Sequence, residues 1–218
     1  MDQEVFVKAY LGYLATYLAP HGYDPKAVVS GLWAGTEAMV KNDGNATNEA
    51  VFWNVFCNFC GEKSRQDEPL FRTFYETRFQ DVKNSCGFNP QAAETIRTLK
   101  EKGYRLVLAT NPLFPAIATE SRIRWAGLEP GDFEIYTTYE NSRHCKPNLD
   151  YYRDILETIG EEPAACLMVG NDAGEDMIAA KLGMKVFLLT DSLIDRGLDI
   201  SKYPQGSFDQ LLAYIESL

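Results

Sequence analysis

Val169-Gly170-Asn171-Asp172-Ala173-Gly174-Glu175-Asp176-Met177 is the stretch that decides how this chain folds. It begins at the end of a short apolar run, Cys166 to Val169. Ala179, Leu182 and Met184 then continue the apolar pattern, with Gly183 as a helix stop. A run of that length followed by helical spacing predicts a strand passing into a helix. In open α/β sheets ligands gather at the carboxyl ends of strands, so acids at this junction are candidates for holding a hard cation. A second reading needs no metal: Asp172 followed by Glu175 is also a helix N-cap with a capping-box partner. The stretch taken alone leaves both open.

Working outward, the same alternation holds from Asn89 onward. Asn89-Pro90 starts a helix that ends at Gly103, and Tyr104 to Ala109 reads as a buried strand. Pro115 opens a helix ending at Gly127, Phe133 to Thr137 is a weaker strand, and Asn148 caps a helix running to Gly160. After the Cys166 strand come Lys185 to Leu189, a last strand, and a terminal helix capped by Ser207 with Gln210. Such alternation implies parallel strands with crossover helices, a doubly wound α/β domain.

The part before Cys86 carries helical signals and no persuasive strand. Asp24-Pro25 and Thr47 are helix starts, and Phe71, Phe74, Tyr75 and Phe79 form an aromatic stripe at helical spacing that reads as core. A helical module of this kind can also supply a lid, in which Trp33, Phe56 and Tyr75 would shape selectivity. Cys57-Asn58-Phe59-Cys60 has the spacing of a metal or redox pair, but no second pair accompanies it and its surroundings are helical.

Composition narrows the function. Thirty-one acidic against twenty-one basic residues give a net charge of −10, which argues against a partner with a phosphate backbone and against an anionic membrane surface. Val5 to Ala19 is too short and too polar to span a bilayer, and Lys8 interrupts it. Five cysteines, an odd number, suggest free thiols in a reducing cytoplasm. The expectation is a soluble cytoplasmic protein that binds neither nucleic acid nor membrane.

Parallel strands of one sheet deliver their ends to the same edge, so three strand ends matter together. Thr110-Asn111-Pro112 offers a hydroxyl, an amide and free N–H groups, which suit an anionic oxygen. Arg143, His144 and Cys145 lead to Lys146-Pro147, where a compact ammonium suits a phosphoryl group or neighbouring carboxylates. Asp172 and Asp176 follow, a sparse acid pair sufficient for magnesium, which keeps several waters. Singly, each has a plainer reading: a turn, a solvated lysine beside an exposed histidine, a cap.

In this order the stretches resemble the motifs of the haloacid dehalogenase-like hydrolase superfamily. Leu106 to Asn111 is similar to its second motif, Lys146-Pro147 to its third, and Gly170 to Asp176 to its acidic fourth. The resemblance implies a Rossmann-like core over residues 87–218 and an α-helical cap over residues 1–86. It further implies phosphoryl transfer through an aspartyl-phosphate with Mg2+. Thr110 and Asn111 would bind the phosphoryl group, with Thr110 and Lys146 in the catalytic set, Lys146 also contacting substrate, and Asp172 and Asp176 holding the metal. The expected partner is a small phosphorylated substrate.

The family's first motif, a strand ending in Asp-x-Asp that supplies the nucleophile, has no match here. Asp43-Gly44-Asn45-Ala46-Thr47 is the nearest string and reads as a turn. The expectation is therefore a chain that begins downstream of the full-length start, with Met1 following the missing motif. Its incomplete sheet would then favour homo-oligomers. Without that carboxylate the fold would bind phosphate and metal with little turnover. An inactive binding protein and a 2-haloacid dehalogenase are the other readings, and the pair Asp172 and Asp176 favours phosphatase chemistry over the dehalogenase.

Overall fold

The computed structural model describes residues 3–218; Met1, to which the expectation of a missing upstream strand is tied, lies outside them. Helix α1 (Gln3–Leu18) is followed by α2 (Pro25–Val40), whose N-cap Asp24 accepts from the Lys26 N–H at 3.1 Å. Thr47 caps α3 (Asn48–Cys60), its hydroxyl accepting from the Ala50 N–H at 3.2 Å. These side-chain oxygens satisfy amide donors that the first turn of a helix leaves unpaired. Short α4 (Lys63–Gln66), α5 (Glu68–Glu76) and a 3-10 segment, Arg78–Ser85, complete a run in which no strand occurs among the described residues.

Aromatic packing holds this run together. Phe56, Phe71, Phe74 and Phe79 are buried with Leu14, Leu18, Val28 and Val82. Two glycines let α2 and α3 approach: a Cβ on Gly35 would lie 2.6 Å from the Phe52 ring, and one on Gly31 would lie 3.0 Å from Phe56. Cys57 and Cys60 fall on α3, and all five cysteines lie outside any disulfide.

The chain then alternates as the sequence predicts: α6 (Pro90–Glu101), β1 (Val107–Leu108), α7 (Ala116–Trp125) and β2 (Ile135–Tyr136). There follow α8 (Leu149–Ile159), β3 (Leu167–Gly170), β4 (Lys185–Leu189), β5 (Gln205–Gly206) and α9 (Phe208–Glu216). Every pairing is parallel. β1 pairs with β2, Val107 opposite Ile135, while β3 pairs with β4, Leu167 opposite Lys185, and β4 with β5. The fold class is α/β, parallel strands joined through helices.

The chain divides into two compact units, Met1–Cys145 and Lys146–Leu218, so residue 86, the expected boundary of a helical cap, falls inside the first. β1 is a correction to the sequence reading. It is two residues long and half-buried rather than a buried run from Tyr104, because a ladder partner lines one side of it only. β5 went unforeseen, since a two-residue Gln-Gly strand leaves no periodic trace. No described helix is long and apolar enough to cross a membrane.

Asn48 ties α3 to the loop after β1. It has no exposed surface, donates to the Pro112 carbonyl at 3.2 Å and accepts from the Asn42 amide at 2.8 Å. Its backbone N–H donates to the Ser142 carbonyl at 2.8 Å. Asn48→Ala strands a buried acceptor and a buried donor, and urea denaturation should show a loss of about 2 kcal/mol.

Candidate active site

Within the second unit the acidic stretch folds into a closed charge network. β3 ends at Gly170, and the Asp176 carboxylate packs over that residue so closely that a Cβ on Gly170 would overlap it. Asp172 Oδ1 accepts from the Gly174 and Glu175 N–H groups at 2.9 and 3.2 Å, and its Oδ2 receives the Arg196 guanidinium at 2.6 Å. Asp176 Oδ1 receives Lys146 Nζ at 2.6 Å, and its Oδ2 accepts from the Asp172 N–H at 3.0 Å. The side chains of Lys146, Asp172 and Asp176 are all more than nine-tenths buried.

Both expectations for this stretch are sharpened. Asp172 does bond backbone amides as a cap would, but Asp176, not Glu175, reaches back to the Asp172 N–H. Glu175 turns instead to Arg196 at 3.2 Å. The helix that follows is a 3-10 turn, Met177–Leu182, closed by Gly183 in the left-handed region. Lys146 is a buried cation with its Nζ 5.8 Å from the Tyr151 ring centre, so the reading of it as a solvated surface charge fails.

Burial raises the Glu175 carboxyl above its ordinary range, with the Asp172 charge adding to the effect and Arg196 opposing it. The hydrogen bond to Asp172 raises Arg196 in turn. Neighbouring backbone anchors hold Arg196 in place: the Ile194 N–H donates to the Asn171 carbonyl at 2.8 Å, and Asn171 Nδ2 donates to the Ser192 carbonyl at 2.6 Å. Sequence reasoning missed this residue. An arginine in the Asp195-Arg196-Gly197 turn carries no sign of the carboxylate it meets 24 positions earlier.

Thr110 and Asn111 belong to the first unit. The Thr110 hydroxyl donates to the Thr137 carbonyl at 3.4 Å, the Thr137 hydroxyl donates to the Thr110 carbonyl at 2.8 Å, and the Asn111 carbonyl accepts from the Leu113 N–H at 2.8 Å. His144 is half-buried rather than exposed, and its ring packs where a Cβ on Gly44 would stand. Asp43 is exposed and accepts from the Asn45 N–H at 3.2 Å, a turn as expected.

The first unit also contains a cavity of about 250 Å³, which Trp33 and Tyr75 line. Phe56, expected beside them, is wholly buried in the aromatic core.

The donor chemistry of Asp172 and Asp176 suits a hard cation. Each of their four oxygens, however, already has a protein partner, and the described residues form no cluster of three or more metal-ligating side chains. Arg196, whose side chain is half-exposed, is the partner a cation could displace.

The family model for haloacid dehalogenase-like hydrolases matches residues 60–183, more than half of the chain and the span that contains both the 110–112 loop and the acidic stretch. The chain belongs to the haloacid dehalogenase-like hydrolase family. Among curated relatives of this chain is a glyceraldehyde 3-phosphate phosphatase of Methanothermobacter thermautotrophicus. It is 30% identical over 111 residues, 50% of this chain and 48% of the relative. Another, the pyrophosphatase PpaX of Bacillus velezensis, is 23% identical over 61% of this chain and 59% of its own length. The chain thus spans about half the length of the curated relatives it matches.

Solved structures agree on the fold. A HAD phosphatase from Thermococcus onnurineus superposes with a TM-score of 0.60 at 19% identity, covering 97% of this chain and 91% of that one. The 2-haloacid dehalogenase of Pseudomonas syringae gives 0.64 at 18% identity, covering 98% and 91%. One scaffold therefore accompanies both chemistries, and the side chains must distinguish them.

Lys146→Met leaves the Asp176 carboxylate buried without its counter-charge. Denaturant titration should show a loss of about 3–5 kcal/mol, far above that of an exposed ion pair.

Proposed function

We propose that this hydrolase is a phosphatase-type enzyme for small phosphate esters, the acid pair Asp172 and Asp176 serving a divalent cation and Lys146 placing positive charge beside it. The observation that carries this reading is the burial of two carboxylates side by side at the carboxyl end of β3. Displacement of halide by a carboxylate needs no such pair. Charge developing on phosphoryl oxygens does, through a metal that the pair would hold. The phosphatase among the relatives supports this substrate class, and the pyrophosphatase, which acts on a phosphoanhydride, supports phosphoryl chemistry only in general.

Magnesium, where bound, would neutralise phosphoryl oxygens. Lys146 orients Asp176 by its 2.6 Å hydrogen bond and keeps a positive charge in a buried setting. Thr110 and Asn111 would offer hydroxyl and amide groups to phosphoryl oxygens, under the helical residues 1–86 acting as a cap. No carboxylate at a strand end precedes β1 among the described residues, so the nucleophile is not assigned to any of them. The second reading is a phosphate- and metal-binding protein without turnover.

An assay with Mg2+ against a panel of phosphate esters separates the two. It should include this chain and the same chain with any residues its gene encodes upstream of Met1. Hydrolysis by either form, lost in Asp172→Asn, supports the phosphatase; inertness of both, with retained orthophosphate binding, supports the binding protein.

Arg196→Ala frees Asp172 Oδ2, and Mg2+ affinity by calorimetry should rise about tenfold, the worth of one charge-assisted hydrogen bond. An unchanged affinity would mean that the cation does not use Asp172.

A further inference from the structure

The cavity in the first unit is lined by none of the groups that the phosphate-ester reading assigns to the phosphoryl oxygens or the metal. Trp33, Phe52, Trp53 and Tyr139 are among its walls, and Glu49, Glu68 and Glu140 are among its polar groups. At about 250 Å³ it is smaller than the roughly 300–1,000 Å³ of drug-sized sites, so its ligand is small.

The charges do not cancel. Arg72, which also lines the cavity, is exposed and pairs with Glu76 at 3.3 Å. Both Glu140 oxygens accept the Ala116 N–H, at 2.9 and 3.0 Å, which anchors that carboxylate at the start of α7. Glu49 lies in the first turn of α3, where its own N–H donates to the Tyr139 carbonyl at 2.8 Å. Among the described residues no side chain hydrogen-bonds or ion-pairs with the Glu49 carboxylate. Burial raises its carboxyl above the ordinary range, and the charges of Glu140 and Glu68 add to this, with Arg65 opposing. Such a group gains most from a cation delivered to it.

The aromatic walls point the same way. The face of an indole, phenol or phenyl ring is electron-rich and attracts a cation, and most strongly where water is excluded. The same faces and carboxylates repel an anionic group. A neutral apolar ligand would fill the space and leave Glu49 without a partner, at a desolvation cost.

We propose that this cavity binds a small organic ammonium ion, its charged nitrogen set against Glu49 and the aromatic rings that line it. The site is separate in kind from the acid pair of the second unit, since it selects a cation attached to carbon rather than a hydrated metal.

The test titrates the full chain with choline and with its neutral isostere 3,3-dimethylbutan-1-ol, read by tryptophan fluorescence and by calorimetry. Choline should bind saturably and at least about tenfold more tightly than the alcohol. Glu49→Gln should remove most of that preference and leave alcohol binding unchanged. Trp33 is 55% exposed, so Trp33→Leu is a second variant that folds independently of any effect at Glu49; it should weaken choline about threefold or more. Equal affinity for the two probes, no saturable choline binding, or undiminished choline binding in both variants overturns the proposal. None of these readings involves turnover, so each outcome leaves the phosphatase reading to its own assay.

Discussion

The buried hydrogen bond between Lys146 and Asp176 governs the second unit. Taking either charge out of water alone would cost several kcal/mol, so the two are retained together or lost together. Asp176 then brings its other oxygen to the Asp172 N–H, and Asp172 in turn holds Arg196 and two backbone amides. From this chain of contacts follow the missing Cβ at Gly170, the tight turn after β3 and the placement of residues 192–196. A carboxylate pair that would repel itself in isolation becomes an ordered anionic centre because two cations from distant parts of the unit neutralise it.

Electrostatics in the first unit are resolved differently. There, aromatic rings rather than charges fill the interior, and the polar tie is Asn48, which satisfies both a carbonyl and an amide without any net charge. The carboxylates that do face inward, Glu49 and Glu140, line a cavity rather than a core. The acid pair of the second unit meets Lys146 and Arg196, whereas Glu49 beside the cavity meets no such cation among the described residues, which is the physical ground for assigning them different ligands. A solved HAD phosphatase and a solved 2-haloacid dehalogenase share this fold, so the fold alone does not choose between the two chemistries.

Local chemistry was legible in advance. Asp24, Thr47, Asn89, Asn148 and the Ser207–Gln210 box all cap the helices the sequence predicts, since a cap is a contact between residues two or three positions apart. The alternation of apolar runs and helical spacing was equally readable, and so was the order of Thr110, Lys146 and Asp172. Strand length was not: β1 shortens to the span over which a neighbour supplies a ladder, which no pattern within residues 104–109 records. Arg196, Asn48 and Glu49 escaped for a related reason, each being defined by a partner or a cavity assembled from remote segments.

By itself the sequence determined the fold class, the helix starts and the family, because these depend on periodicity, short-range capping and the order of motifs along the chain. It read the acidic stretch as a metal pair, Asp172 and Asp176, from their order after Thr110 and Lys146, with Glu175 as the capping partner. Tertiary structure decided which groups the acids meet: Asp172 caps the turn and pairs with Arg196, and Asp176 pairs with Lys146. A carboxylate's role is set by what lies within about 3 Å of its oxygens, and that neighbourhood is built by folding.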